Sequence, residues 1–125
     1  MVMETMSEAT VLIVCGEASG DVHAGQMVAA LREMADIRVV AAGGPALRAA
    51  GAEVLWESVE WSAIGLPEAL SKLPVYWRAM REILAFMENQ RPDMLVLVDF
   101  GAFNLRLAAR VRRRWPALPI FYYFP

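Results

Sequence analysis

Residues 11 to 25 read VLIVCGEASGDVHAG. The apolar run Val11–Cys15 passes into a turn that carries Glu17 and Ser19 between Gly16 and Gly20, with Asp21 directly after. A short, unbroken run of aliphatic residues is what a strand buried on both faces of a parallel sheet requires, so a strand is expected over Thr10–Cys15. Asp21 is placed to cap a helix running to about Met34, with Met27, Val28, Leu31 and Met34 on its apolar stripe. In α/β proteins this first strand–helix turn often binds phosphate. Here two carboxylates would repel a phosphate and compete for the same free N–H groups at the helix start. Carboxylates instead accept hydrogen bonds from hydroxyl or ammonium groups, or take up a proton. The turn therefore suits a sugar or polyol better than a nucleotide phosphate. The competing reading is structural: Asp21 as an N-cap and Glu17 as a solvated turn residue.

Working outward, strand-like and helix-like patterns alternate. Ile37–Ala42 predicts a second strand, and Gly43-Gly44-Pro45 a sharp turn into a short helix ending before Gly51. Glu53–Leu55 is a weak third strand. A long helical region follows, broken by Pro67 and Pro74, with Leu66, Leu70, Leu73, Trp77, Met80, Leu84 and Met87 at helical spacing. Pro92 ends it. Met94–Val98 is the most apolar strand, a helix is expected from about Asn104 to Trp115, and Ile120–Phe124 is the last strand. This alternation predicts right-handed crossovers and a doubly wound parallel sheet, an α/β fold. Ligands of such sheets bind beyond the carboxyl ends of the strands, at the switch point.

The 125 residues amount to one domain, and a formal net charge of −2 offers no basic footprint for nucleic acid. Apolar residues make up 58%, above the roughly 45–50% of average soluble domains, which leaves apolar area for a partner or a membrane surface. With Cys15 as the only cysteine there is no intramolecular disulfide, and the expectation is a reducing cytoplasm. Residues 1–9 have no basic n-region and no apolar run reaches the roughly 18 residues of a membrane span, so neither a secretory leader nor a spanning helix is expected. His23 lacks companion ligands, so no metal site is expected.

Three further stretches carry chemistry. Gly43-Gly44-Pro45 permits close approach of a ligand to the backbone, and is equally an ordinary helix start. Asp99 follows the most buried strand, at the position where acids face the ligand, and Asn104 begins the next helix. The Asp99-Phe100-Gly101 triplet matches protein kinases by chance, since no glycine-rich loop or His-Arg-Asp stretch accompanies it. Trp56, Trp61, Ile64, Leu66, Tyr76 and Trp77 are either core or an apolar ledge for an acyl chain or bilayer interface.

Taken in order, Gly16-Glu17-Ala18-Ser19-Gly20-Asp21, Gly43-Gly44-Pro45, Ile64-Gly65 with Glu68, Arg91-Pro92-Asp93, Asp99 with Phe103-Asn104, and Tyr122-Tyr123-Phe124-Pro125 form a set. This set resembles the N-terminal part of the lipid-A-disaccharide synthases from Val11 to Pro125. The resemblance implies one half of a two-Rossmann-domain (GT-B) inverting glycosyltransferase. Residues 1–9 would be a flexible N-terminus, and residues 10–125 an acceptor-side Rossmann-like domain truncated before the donor domain. The implied reaction moves 2,3-diacylglucosamine from its UDP carrier to the 6-hydroxyl of 2,3-diacylglucosamine 1-phosphate, without a cofactor. UDP-diacylglucosamine would be held mostly by a C-terminal domain beyond this chain, and the diacylglucosamine 1-phosphate acceptor here. The implied location is peripheral, on the cytoplasmic face of the inner membrane, and a homo-oligomer is compatible with it. On this reading Asp99 is the base, with Glu17 next and Asp93 third. Ser19, Gly20, Asp21, Gly44, Glu68 and Asn104 would meet the sugar, and Ile64 and Gly65 the acyl chains. Where the family usually has Pro and Asp before the Phe-Asn pair, this chain has Gly101 and Ala102. Another UDP-sugar transferase or epimerase of the same fold, or a non-catalytic sugar- or lipid-binding module, are the alternatives. A receiver domain is disfavoured because Cys15-Gly16-Glu17 replaces the acidic pair such domains need after strand one.

Overall fold

The computed structural model describes residues 8–59 and 74–124. Its elements are β1 (Ala9–Cys15), α1 (Ala18–Met34), β2 (Ile37–Ala42), α2 (Pro45–Ala49) and β3 (Glu53–Trp56). After the gap come α3 (Pro74–Gln90), β4 (Met94–Val98), α4 (Gly101–Arg114) and β5 (Ile120–Tyr123). The five strands form one parallel sheet in the order β3-β2-β1-β4-β5. This is the Rossmann-like order, and its direction reverses between β1 and β4.

The sheet separates its side chains by alternation, as a period of two demands. Leu12, Val14, Leu95 and Leu97 point to the face covered by α3 and α4, where they meet Ile83, Met87, Leu107 and Val111. Ile13, Cys15, Val96 and Val98 point to the other face, under Ala24 and Val28 of α1 and Leu47 of α2. With both faces covered, the strands need uninterrupted apolar sequence, which is why Val11–Cys15 and Met94–Val98 read as they do. Proline marks two of the helix starts: Pro45 sits in the first turn of α2, and Pro74 opens α3.

Four expectations need correction. Helix α1 starts at Ala18, with Glu17 in the N-cap position and no side-chain cap, so Asp21 does not cap its own helix. The buried face of α1 is Gly20, Asp21, Ala24, Gly25 and Val28, while Met34 is 81% exposed. Small residues win that face because α2 lies close: a Cβ at Gly25 would come within 2.8 Å of the Ala46 carbonyl oxygen. Strand β3 continues through Trp56, whose indole N–H reaches Glu82 of α3 at 3.0 Å. Helix α4 begins at Gly101, so Asn104 lies inside its first turn. Pro67 and the helical positions Leu66, Leu70 and Leu73 lie outside the described residues.

Candidate functional site

The reversal between β1 and β4 places two chain turns side by side. Cys15 pairs with Val98, so Gly16 and Asp99, the next residues, are neighbours at about 5 Å across the strand ends. Asp99, Phe100 and Gly101 all have positive φ, at 50°, 67° and 44°. Left-handed backbone at a non-glycine residue costs about 1–3 kcal/mol and persists only where surroundings enforce it. Here they do. The Asp99 carbonyl accepts from the Tyr122 hydroxyl and from Asn104 Nδ2, each at 2.8 Å, and its N–H donates to the Tyr123 carbonyl at 3.1 Å. The side chain is treated differently: among the described residues nothing hydrogen-bonds the half-exposed Asp99 carboxylate.

Gly101 is required by this turn. A proline there would be held near φ −65° and could not adopt a φ of +44°. The glycine at residue 101 thus accompanies a specific local backbone. Phe100 turns its ring onto Gly16, where an added Cβ would come within 2.2 Å of the ring. The ring also stacks on Phe103 at 4.8 Å, and Tyr76 of α3 leans on both. The floor beside Asp99 is therefore aromatic.

Of the two acids in the β1 turn, only one is available. Glu17 is exposed and carries no capping bond. Asp21 is 2% exposed, and its carboxylate accepts from the backbone N–H groups of Gly44 (2.9 Å), Ala46 (2.8 Å) and Leu47 (3.1 Å). It caps α2 from a distance of more than twenty residues in sequence, supplying the donors at that helix start with their acceptor; Pro45 has none to offer. Gly44 is buried and spends its N–H on this contact. Gly20 packs against Val98 and Cys15, and Ser19 is exposed on the first turn of α1.

Asn104 is fully buried beneath the crevice. Its Nδ2 bridges the Asp99 carbonyl and the Val14 carbonyl (3.1 Å), and among the described residues its Oδ1 has no hydrogen-bond partner. Asp93 is at the wrong end of the sheet. It exchanges two bonds with Thr10, N–H to carbonyl at 2.7 Å and Thr10 N–H to its Oδ2 at 2.8 Å. The five residues of β4 separate it from Asp99, six residue steps or about 20 Å, so it cannot share a reacting hydroxyl with that acid. Ile64, Gly65 and Glu68 lie outside the described residues. Burial, then the nearby Asp21, pushes the Cys15 thiol up to about 12, which leaves it an inert core group. Burial, then the Asp99 carboxylate, raises the Tyr122 phenol, keeping its hydroxyl a donor.

Sequence reading missed Tyr122 and Phe100. Tyr122 stood in a noted motif, but only the β4–β5 register, with Leu97 opposite Tyr122, carries its hydroxyl to the turn. Nothing in the sequence reveals that the Phe100 ring folds onto Gly16.

The sheet and its crevice define a Rossmann-like α/β protein with the Asp99 and Glu17 carboxylates, neither of them hydrogen-bonded among the described residues, in the turns at its switch point. Residues 11–125 match the family model described as lipid-A-disaccharide synthetase. The chain is 41% identical to lipid-A-disaccharide synthase of Nitrosococcus oceani over 114 residues, 90% of this chain and 29% of that protein. It is 37% identical to lipid-A-disaccharide synthase 1 of Legionella pneumophila (strain Lens), covering 92% of this chain and 30% of the relative. The Myxococcus xanthus lipid-A-disaccharide synthase is 38% identical, with 90% and 29% covered. The chain belongs to the lipid-A-disaccharide synthetase family. It spans about 30% of the length of these curated relatives.

Proposed function

We propose that this chain is the acceptor-side domain of an inverting glycosyltransferase that makes the lipid A disaccharide. The reaction moves 2,3-diacylglucosamine from UDP to the 6-hydroxyl of 2,3-diacylglucosamine 1-phosphate. Inversion in a single displacement needs a base within hydrogen-bond reach of the attacking hydroxyl. Asp99 takes that role. The observation that carries the reading is its state: backbone groups fully held, carboxylate without a donor among the described residues, at the switch point where ligands of this fold bind. Glu17, exposed beside it, and Ser19 would hold other sugar hydroxyls. The aromatic floor of Phe100, Phe103 and Tyr76 supports the apolar part of an acylated acceptor. Trp77, 43% exposed with Arg110 stacked over its ring, extends that apolar wall along α3.

The donor's UDP would be gripped by a further domain, since the relatives are about three times as long as this chain. Among the described residues no helix is long and apolar enough to cross a membrane. Peripheral attachment at the cytoplasmic face of the inner membrane suits lipid substrates and a wall of this kind. On this reading the chain alone does not transfer sugar, and turnover of UDP-diacylglucosamine by the 125-residue chain would overturn that point.

The test is Asp99→Asn in a full-length enzyme carrying this chain, assayed for UDP release with both lipid substrates. A fall in kcat of about 10²–10⁴-fold with little change in acceptor KM is expected for loss of a general base. An unchanged kcat removes Asp99 from that role.

A further inference from the structure

We propose that the Tyr122 hydroxyl, together with the Asn104 amide, is a positioning device that aims the Asp99 carboxylate; this rests on the reading of Asp99 as the base. Two donors from different elements converge on one acceptor. Tyr122 comes from β5 and Asn104 from α4, and both end 2.8 Å from the Asp99 carbonyl oxygen. Asn104 uses its second amide hydrogen on Val14 of β1, so the turn is pinned across the switch point as well. The Asp99 N–H is tied to Tyr123. With φ held at 50° and the following peptide fixed from two sides, only the rotation of its own side chain remains to Asp99.

Packing does not explain the hydroxyl. A phenylalanine at residue 122 would fill the same ring space, and the ring already stacks on Phe124 at 4.6 Å. The hydroxyl's described partner is the Asp99 carbonyl alone. Its contribution is therefore to the peptide orientation at the base. Losing it frees the turn to relax toward ordinary backbone angles, which would swing the carboxylate away from the acceptor hydroxyl. A misplacement of about 1 Å is enough to cost rate without costing affinity.

The decisive experiment is a double-mutant cycle of Tyr122→Phe and Asp99→Asn in a full-length enzyme carrying this chain. Steady-state kinetics, the pH profile of kcat and a thermal melt are read for each variant. Tyr122→Phe is expected to lower kcat about tenfold, with acceptor KM within about twofold and a displaced acid limb in the profile. In the Asp99→Asn background the same change should add no further loss, because its effect passes through Asp99. A Tyr122→Phe enzyme with wild-type kcat and acid limb overturns the proposal, even if its melting temperature falls. An undiminished tenfold loss in the Asp99→Asn background overturns it too, by showing that the hydroxyl acts elsewhere. Wild-type kcat in Asp99→Asn alone brings down the base assignment and the positioning role with it, an outcome visible in that single variant.

Discussion

Asp21 and Asp99 both sit at the carboxyl-end rim of the sheet, yet the chain treats them in opposite ways. Asp21 has its carboxylate saturated by three backbone donors and is buried. Asp99 has its backbone saturated and, among the described residues, no donor on its carboxylate. A carboxylate whose acceptor sites are filled by N–H groups holds two segments together. One whose peptide is clamped in a costly conformation while its oxygens stay open is positioned for a ligand. Exposure alone would not separate a solvated acid from the second kind; the clamp does.

The sharpest way to break this contrast is Asp21→Ala. It would strand the N–H groups of Gly44, Ala46 and Leu47 and detach α1 from α2, at an expected cost of about 3–5 kcal/mol in equilibrium denaturation. A loss below about 1 kcal/mol would show that α2 does not depend on this cap. In a full-length enzyme carrying this chain, any folded fraction should keep its kcat, whereas Asp99→Asn should keep stability and lose rate.

Asp93 sharpens the comparison from the other end of the sheet. Asp93→Ala removes one bond to the Thr10 N–H and should cost about 1 kcal/mol of stability. In a full-length enzyme carrying this chain, the kcat of Asp93→Ala should stay within about twofold of wild type; a hundredfold loss would return Asp93 to the candidate bases.

The smallest effect is expected at Arg38–Glu53, a surface pair at 2.8 Å that joins β2 to β3. The hydrogen bond from Arg38 holds the Glu53 carboxyl below its usual range. Its contribution is present above the unfolded glutamate value of about 4.3 and is lost as pH falls through the lower folded value. Glu53→Gln should therefore flatten the acid side of the stability curve by at most about 1 kcal/mol. A Glu53→Gln curve that overlays the wild type from pH 7 to pH 3 would show the pair to be energetically silent.

Much of the architecture was legible because it rests on local rules. The bounds of Ile37–Ala42 and Met94–Val98 follow from their apolar runs, since strand segments covered on both faces must be apolar; Arg38 stands at the half-exposed start of β2, outside its buried part. Pro45 and Pro74 marked helix starts through their fixed φ. The α1 stripe was misread because helical periodicity weighs large apolar residues, whereas the face against α2 selects small ones such as Gly25. The start of α4 was misplaced because Asn104 looked like an N-cap, while its side chain is directed inward to carbonyls of β1 and the β4 turn.

By itself the sequence determined the strand–helix alternation, the carboxyl-end location of the crevice, the absence of a phosphate-binding glycine pattern and the family. All of these depend on residue order and spacing along the chain. The roles of the acids were decided by tertiary structure. Whether Asp21 faces a ligand or a helix start depends on where Gly44 to Leu47 pack, 23 to 26 residues away. How the Asp99 peptide is held depends on donors to its carbonyl that arrive from β5 and α4. A carboxylate's function is set by which donors reach it, and those donors are brought together only when the sheet assembles.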